Sequence, residues 1–110
     1  MSFSLNIRNR ATQDLRSQAN YIFAHGSSTK ASQFLQAAES TFEQLRKTPE
    51  IGRRTEIVMS QLGLIRQWHL KGFKDYLVFY QVNSEQVDIL RILHGKRDLA
   101  EILSSLDEEV

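Results

Sequence analysis

Two apolar runs joined by a polar turn constrain the fold of this chain more than any other feature of its sequence. The runs cover residues 76–82 and 87–93 and are rich in Val, Ile, Leu, Phe and Tyr, while Asn83-Ser84-Glu85-Gln86 between them has turn chemistry. The pattern predicts a β-hairpin. Neither alternating face of the second run is purely polar, so we expect a central strand that is covered on both sides.

The segment that follows the hairpin holds the densest group of chemically useful side chains. His94-Gly95-Lys96-Arg97-Asp98 stops the second strand. Asp98 and Glu101 then form an Asp-x-x-Glu capping pattern, and apolar residues recur at helical spacing up to Leu106. The sequence therefore predicts a short C-terminal helix.

The N-terminal half predicts one strand and two helices. Alternation of Phe3, Leu5 and Ile7 with polar residues is typical of a half-buried strand. We expect a first helix capped by Asn9 and ended by His25-Gly26, and a second that opens at Ser27 or Ser28 and ends before Pro49. Because the link is short, the helices should form an antiparallel pair. The predicted buried stripes are Ala11, Leu15, Ala19, Ile22 and Phe23, then Ala31, Phe34, Leu35, Ala38, Phe42 and Leu45.

The region between the second helix and the hairpin predicts further strands. Gly52, Arg53 and Arg54 indicate a loop before a short strand near residues 55–59, and residues 64–70 have a β-rich sequence. Lys71-Gly72-Phe73 reads as a reversal into the hairpin, which completes a three-stranded antiparallel meander. The prediction is one α+β domain over residues 1–110, with a two-helix hairpin packed on a small antiparallel sheet in the order β-α-α-β-β-β-α.

Composition narrows the class of protein. The 110 residues are 41% hydrophobic and 25% charged, which is typical of a globular domain, and cysteine is absent. No apolar run approaches the ~20 residues of a membrane span, so we expect a soluble, cytoplasmic protein. The three histidines lack zinc-site spacing, and neither a metal nor a cofactor is expected. Residues 53–98 carry eight Lys or Arg against five acids, whereas residues 99–110 carry four acids and no base.

The order of several short motifs resembles that of ParE-type toxins across nearly the whole chain. The motifs are Ala11-x-x-Asp14-Leu15 with Tyr21-Ile22, Thr48-Pro49-x-x-Gly52, Leu64-Ile65-Arg66-x-Trp68-x-Leu70-Lys71-Gly72-Phe73, Tyr76-Leu77-Val78-Phe79-Tyr80 and Ile89-Leu90-Arg91-Ile92-Leu93-His94-Gly95-x-Arg97-Asp98. Each motif alone is weak, and the resemblance depends on their shared order.

The resemblance implies a toxin of a type II toxin–antitoxin system in the RelE/ParE superfamily. Toxins of this type are understood to inhibit DNA gyrase by binding and to be neutralised by a ParD antitoxin. It therefore implies a hetero-oligomer with a ParD-like antitoxin, DNA gyrase as the target, no catalysis, and roles such as plasmid maintenance or bacterial stress response. The implied fold, a helical hairpin against an antiparallel sheet, agrees with the pattern-based prediction.

A RelE-like, ribosome-dependent mRNA endoribonuclease is the main alternative. Nucleases on this fold carry an Arg directly after the first Tyr of the hairpin motif, where this chain has Leu77. They also carry a Tyr six residues beyond the Arg of the Gly-Lys-Arg element, where this chain has Leu103. Only Arg97 is kept, and two leucines cannot clamp a phosphate or transfer a proton.

Two further alternatives involve no toxicity. The first is a non-toxic protein-binding module of the same fold. The basic sheet region could also serve a nucleic-acid-binding module, but its small excess of positive charge predicts no sequence-specific nucleic-acid binding.

Two sets of residues are candidates for partner contacts, each with a structural explanation beside the functional one. The target-binding candidates are basic residues of the sheet and its exit: Lys96, Arg97, Arg66, Arg91 and His94. The arginines of the strands could equally be solvated or paired with acids, and His94 could be bonded to backbone or to Asp98. The antitoxin-binding candidates are Trp68, Leu70, Tyr76 and Phe79, which could equally be core residues.

Overall fold

A computed structural model describes residues 3–55 and 64–95. In chain order the elements are strand β1 (Ser4–Ile7), helix α1 (Asn9–His25), helix α2 (Ser28–Lys47), a short 3-10 helix (Pro49–Ile51), and strands β2 (Arg53–Arg54), β3 (Arg66–Leu70), β4 (Phe73–Asn83) and β5 (Gln86–His94). From the first strand to the hairpin the predicted order agrees with the structure, except that β2 adds a strand at Arg53–Arg54, where a loop was predicted. The predicted C-terminal helix lies outside the described residues, as does most of the strand expected near residues 55–59.

The five strands form one sheet in the order β1-β5-β4-β3-β2. The three pairs from β2 to β5 are antiparallel, as the meander predicts. β1 instead pairs with β5 in parallel, from Ser4 opposite Gln86 to Ile7 opposite Ile89. The predicted antiparallel sheet is confirmed from β2 to β5, and the parallel pairing of β1 was not foreseen because alternation identifies a strand but does not specify its partner or its direction.

Backbone chemistry sets the ends of the two helices. The Ser27 hydroxyl caps α2 by accepting a hydrogen bond from the Lys30 N–H at 3.0 Å. Pro49 follows the last turn of α2 and prevents its continuation. Asn9 is the first residue of α1 rather than its cap, which corrects the prediction; the cap position is Arg8, whose side chain makes no capping bond.

The helices cover one face of the sheet with a continuous apolar core. Its fully or nearly fully buried members are Ala11, Ala19, Phe34, Ala38, Phe42, Leu45, Leu70, Val78, Tyr80, Val87, Ile89 and Ile92. Phe23 and Leu35, predicted to be buried, are 62% and 43% exposed. Both predictions are wrong because the buried stripes are narrower than the apolar pattern suggests.

A second apolar cluster is formed mainly by strand residues that alternate with those of the helix-side core. It consists of Ile65, Phe79, Leu90 and Leu93, with Leu77 packed against them. On β5, Ile89 and Ile92 belong to the helix-side core while Leu90 and Leu93 belong to this cluster. The expectation that the second strand of the hairpin is covered on both sides is confirmed.

The buried carboxylate of Asp88 joins β1 to the β4–β5 turn. It accepts hydrogen bonds from the side-chain amides of Asn6 at 2.9 Å, Asn83 at 2.6 Å and Gln86 at 2.7 Å. Burial alone raises the pKa of Asp88, but these three bonds together with the positive charge of Arg8 outweigh burial and leave the pKa below its usual value. The ionised form of Asp88 is therefore the form that stabilises the attachment of β1.

We expect Asp88 to contribute to the acid sensitivity of the fold. Because its folded-state pKa is depressed, its contribution is complete above the unfolded pKa of about 4 and is lost as the pH falls through the folded-state value. Asp88→Asn should lower the free energy of unfolding at pH 7 and flatten its pH dependence below about pH 4. Urea unfolding at a series of pH values measures both effects. Glu85→Gln, at an exposed turn position, is the control, and a wild-type pH slope in Asp88→Asn would contradict this role.

Candidate functional site

A cleft of about 400 Å³ opens where β5 ends beside β4 and β3. Its lining residues are Arg53, Gln67, Lys74, Asp75, Leu77, His94 and Gly95. Strand pairing brings them together, since Arg53 is opposite Gln67 and Leu77 is opposite Leu93. At the exit of β5 the Gly95 N–H donates to the Asp75 carbonyl at 2.6 Å, which holds the two sides of the cleft in place.

Positive charge dominates the side chains of this cleft. Arg53 and Lys74 are exposed, and Asp75 is the one carboxylate of the described lining. When the Gln67 amide is oriented to match its neighbours, its oxygen accepts from Arg53 Nη2 and Nε at 2.9 and 3.0 Å. These two bonds link the Arg53 guanidinium on β2 to Gln67 on β3. With this cation held in place, the cleft is suited to binding a carboxylate or a phosphate group.

His94 forms the half-buried end of the cleft. Its ring meets the edge of Tyr76, with 5.3 Å between the ring centroids and 79° between the planes. Its buried Nδ1 has no hydrogen-bond partner among the described residues. The predicted bond from His94 to backbone is therefore not found at Nδ1, and the alternative partner, Asp98, lies outside the described residues.

Leu77 places an aliphatic side chain inside the cleft. It packs on the cluster of Ile65, Phe79, Leu90 and Leu93. A Cβ added at Gly95 would lie 3.2 Å from Leu77 Cδ1, so the leucine closely approaches the exit of β5. Leu77 supplies neither a charge for a phosphate nor a proton for a leaving group.

The two strand arginines among the target-binding candidates have intramolecular partners. Arg66 Nη1 donates to the Gly52 carbonyl at 2.7 Å and lies 3.4 Å from the Glu50 carbonyl. Arg91 is only 4% exposed and makes a bidentate ion pair with Asp14 at 2.8 and 3.0 Å. The prediction of Arg91 as a surface contact is therefore wrong. Lys96 and Arg97 lie outside the described residues.

The antitoxin-binding candidates divide into half-buried and fully buried residues. Trp68 is half-buried and lines a small cleft beside α2 with Ser40, Gln44, His69 and Lys71. Tyr76 is also half-buried, with its ring 5.0 Å from that of Phe34. Leu70 and Phe79 are both 0% exposed, so the prediction that they form a docking surface is wrong. Their positions in the strands instead put Leu70 in the helix-side core and Phe79 in the second apolar cluster.

Sequence reasoning missed the residues of α1 that contact the edge of β5. Asp14 Oδ2 accepts from the Ile92 N–H at 3.1 Å, and Gln18 Nε2 donates to the Ile92 carbonyl at 2.7 Å. The two side chains are four residues apart, so they project from one face of α1. Only the presence of Asp14 in the N-terminal motif pointed to this role. Within the cleft, Gln67, Lys74 and Asp75 were not singled out because isolated polar residues on strands carry no local signal.

Within residues 3–55 and 64–95 the structure shows neither a metal-binding cluster nor a membrane-spanning helix. No group of three or more His, Cys, Asp or Glu side chains lies close enough to hold a metal ion there. None of the helices in residues 3–55 and 64–95 is long and apolar enough to cross a membrane.

The chain matches the family described as ParE toxin of type II toxin-antitoxin system, parDE, over residues 5–99. Among solved structures it is similar to the chromosomal ParDE TA system from P. aeruginosa, with a TM-score of 0.73 and 20% sequence identity. That match covers 86% of this chain and 98% of the other. No curated protein matches the chain at a significant level.

Proposed function

Because this chain belongs to the ParE toxins of type II toxin–antitoxin systems, we propose that it inhibits DNA gyrase by binding and that a ParD-like antitoxin neutralises it. The observation that carries the proposal is Leu77, whose aliphatic side chain lies where the nucleases of this fold are expected to hold a phosphate. Inhibition by binding needs a complementary surface but no proton transfer. The proposed target is cytoplasmic, and we infer the same location for the toxin.

The proposed gyrase contact is the cleft at the exit of β5. Arg53 and Lys74 supply exposed cations there, and His94 forms its half-buried end. Lys96 and Arg97 follow Gly95 directly in the sequence and add two more cations to the proposed contact. Charge-assisted hydrogen bonds from such groups recognise carboxylates on a protein partner without any catalysis.

Removing two of these cations should weaken inhibition without affecting the fold. Each lost charge-assisted hydrogen bond costs ~1.5–3 kcal/mol, so Lys96→Ala/Arg97→Ala should need at least about tenfold more toxin to inhibit supercoiling. A gyrase supercoiling assay with purified toxin measures this, and adding the antitoxin encoded beside the toxin gene should restore supercoiling. Arg16→Ala/Lys30→Ala, on exposed helix positions, removes the same charge and should inhibit like the wild type.

Two results would contradict the proposal. Full inhibition by Lys96→Ala/Arg97→Ala would exclude these two residues from the gyrase contact. Ribosome-dependent cleavage of mRNA that is lost in Arg97→Ala would instead support the nuclease alternative, and so would growth arrest in which translation stops before replication.

A further inference from the structure

Within the residues that the structure describes, no strand pairs with β1 on the side away from β5, and this side is called its free edge. The N–H groups of Ser4 and Arg8 donate to the Glu85 and Ile89 carbonyls at 2.8 and 3.0 Å, so they face β5. Backbone groups alternate in direction along a strand, and those of Phe3, Leu5 and Ile7 therefore face outward.

The outward groups of Phe3 are already bonded to α2. Its N–H donates to the Arg46 carbonyl at 3.2 Å, and its carbonyl accepts from Arg46 Nη1 at 3.3 Å. The outward N–H and C=O groups of Leu5 and Ile7 have no hydrogen-bond partner within residues 3–55 and 64–95. An edge of this kind is a template for another strand.

A groove of about 560 Å³ runs beside this edge, between β1 and α2. Leu5, Ile7 and Phe42 supply its apolar lining, and Ile7 is 36% exposed. The polar wall comes from α2, through Gln36, Glu39, Ser40 and Glu43. A strand added to β1 would therefore place every second side chain over an apolar floor.

The α2 wall of the groove carries negative charge. Glu39 and Glu43 are one helical turn apart, and both are exposed. Glu43 is paired with Arg46, whereas Glu39 has no partner among the described residues. Two like charges at this spacing repel each other, so a cation brought by a partner would be stabilised beside Glu39.

We propose that an extended segment of the antitoxin adds to the free edge of β1 as a sixth strand, with apolar side chains in the groove and a basic side chain beside Glu39. Identifying the occupant as the antitoxin rests on the proposed function. An extended segment is favoured over a helix because only another strand can satisfy the outward groups of Leu5 and Ile7. A second copy of this chain is disfavoured because edge-to-edge pairing would place both acidic α2 walls on the same face of the joined sheet.

Hydrogen exchange at single amides tests the added strand. In the complex with the co-expressed antitoxin, the amides of Leu5 and Ile7 should exchange at least about tenfold more slowly than in the free toxin. Ser4 and Arg8 are internal controls, because their amides are already bonded to β5 in the free chain. Unchanged exchange at both Leu5 and Ile7 in the complex would overturn the proposal.

Variants of the edge and of the groove separate this proposal from the proposed function. Ile7→Pro removes an outward N–H while leaving the bonds from β1 to β5 available, and Glu39→Arg reverses the charge of the groove. Each should weaken antitoxin affinity at least about tenfold in a titration. Glu50→Arg makes the same charge change at an exposed position outside the groove and should bind like the wild type. Circular dichroism checks that each variant is folded, and Glu39→Arg remains informative if Ile7→Pro is not.

Each other outcome has a definite meaning. If the wild type captures antitoxin and both variants bind it equally well, the edge is not the docking site and the proposed function stands. If the wild type captures no antitoxin, both proposals fail. Self-association of the toxin alone that Ile7→Pro abolishes would assign the edge to a second copy and overturn the antitoxin as its occupant.

Discussion

Asp14→Ala is expected to lower the free energy of unfolding by about 3–5 kcal/mol, because it removes the carboxylate that forms an ion pair with the buried guanidinium of Arg91. Arg91 is 4% exposed, and its guanidinium makes both parallel bonds to Asp14, at 2.8 and 3.0 Å. The same carboxylate accepts from the Ile92 N–H at 3.1 Å, so the variant also loses an acceptor at the edge of β5. Urea unfolding at pH 7 measures the change.

A double variant tests whether the loss comes from breaking this buried ion pair on one side only. Asp14→Leu/Arg91→Met removes both charges and keeps apolar volume, so it should be more stable than Asp14→Ala alone. Glu43→Ala breaks an ion pair with Arg46 that is exposed on α2, and solvent screening should leave the stability close to that of the wild type. An Asp14→Ala variant as stable as Glu43→Ala would show that the buried pair does not hold α1 to β5.

Local patterns in the sequence predicted the elements of this fold but not its longest-range contacts. The hairpin of β4 and β5 followed from two apolar runs and a turn, and the helix ends followed from Ser27 and Pro49. The partner of Arg91 did not, because Asp14 lies 77 residues away in the sequence. The parallel attachment of β1 was missed for the same reason, since no local rule states which strand a distant strand joins.

The candidate site was predictable only in part. His94 and Leu77 stood out because the sequence places them at the exit of the hairpin and at a position tied to nuclease chemistry. Arg53 and Lys74 reach the same cleft through the pairing of β2, β3 and β4, which residue spacing does not reveal. Leu70 and Phe79 failed as surface candidates because an apolar residue on a strand looks the same in sequence whether it packs inside or binds a partner.

Gly52 and Tyr80 form the second contact whose loss should have a large effect. The Tyr80 hydroxyl donates to the Pro49 carbonyl at 2.6 Å and accepts from the Gly52 N–H at 2.8 Å, and the ring is 0% exposed. Burial raises the pKa of Tyr80, although the bond from Gly52 and the charge of Arg66 oppose the shift, so the hydroxyl stays protonated at neutral pH. The tyrosine thereby fastens the segment after α2 to the middle of β4.

Gly52→Ala should therefore destabilise the fold by about 3 kcal/mol or more, through overpacking and the loss of buried hydrogen bonds. A Cβ at position 52 would lie 2.3 Å from the Tyr80 hydroxyl oxygen and 2.7 Å from its ring, and the buried ring has no space into which to move. Gly72→Ala is the control, because its Cβ would meet nothing within 4 Å and only the positive φ of 82° adds strain, worth ~1–2 kcal/mol.

The Gly52→Ala/Tyr80→Phe double variant distinguishes the steric effect from a backbone effect. Tyr80→Phe alone should cost ~1–3 kcal/mol, because it leaves the Gly52 N–H and the Pro49 carbonyl without their buried partner. In the double variant the oxygen nearest to the new Cβ is absent. The stability lost in the double variant should therefore be clearly smaller than the sum of the losses in the two single variants. Thermal and urea unfolding of the four proteins completes the cycle. Additive losses would show that Gly52 is needed for a reason other than the close approach of the tyrosine.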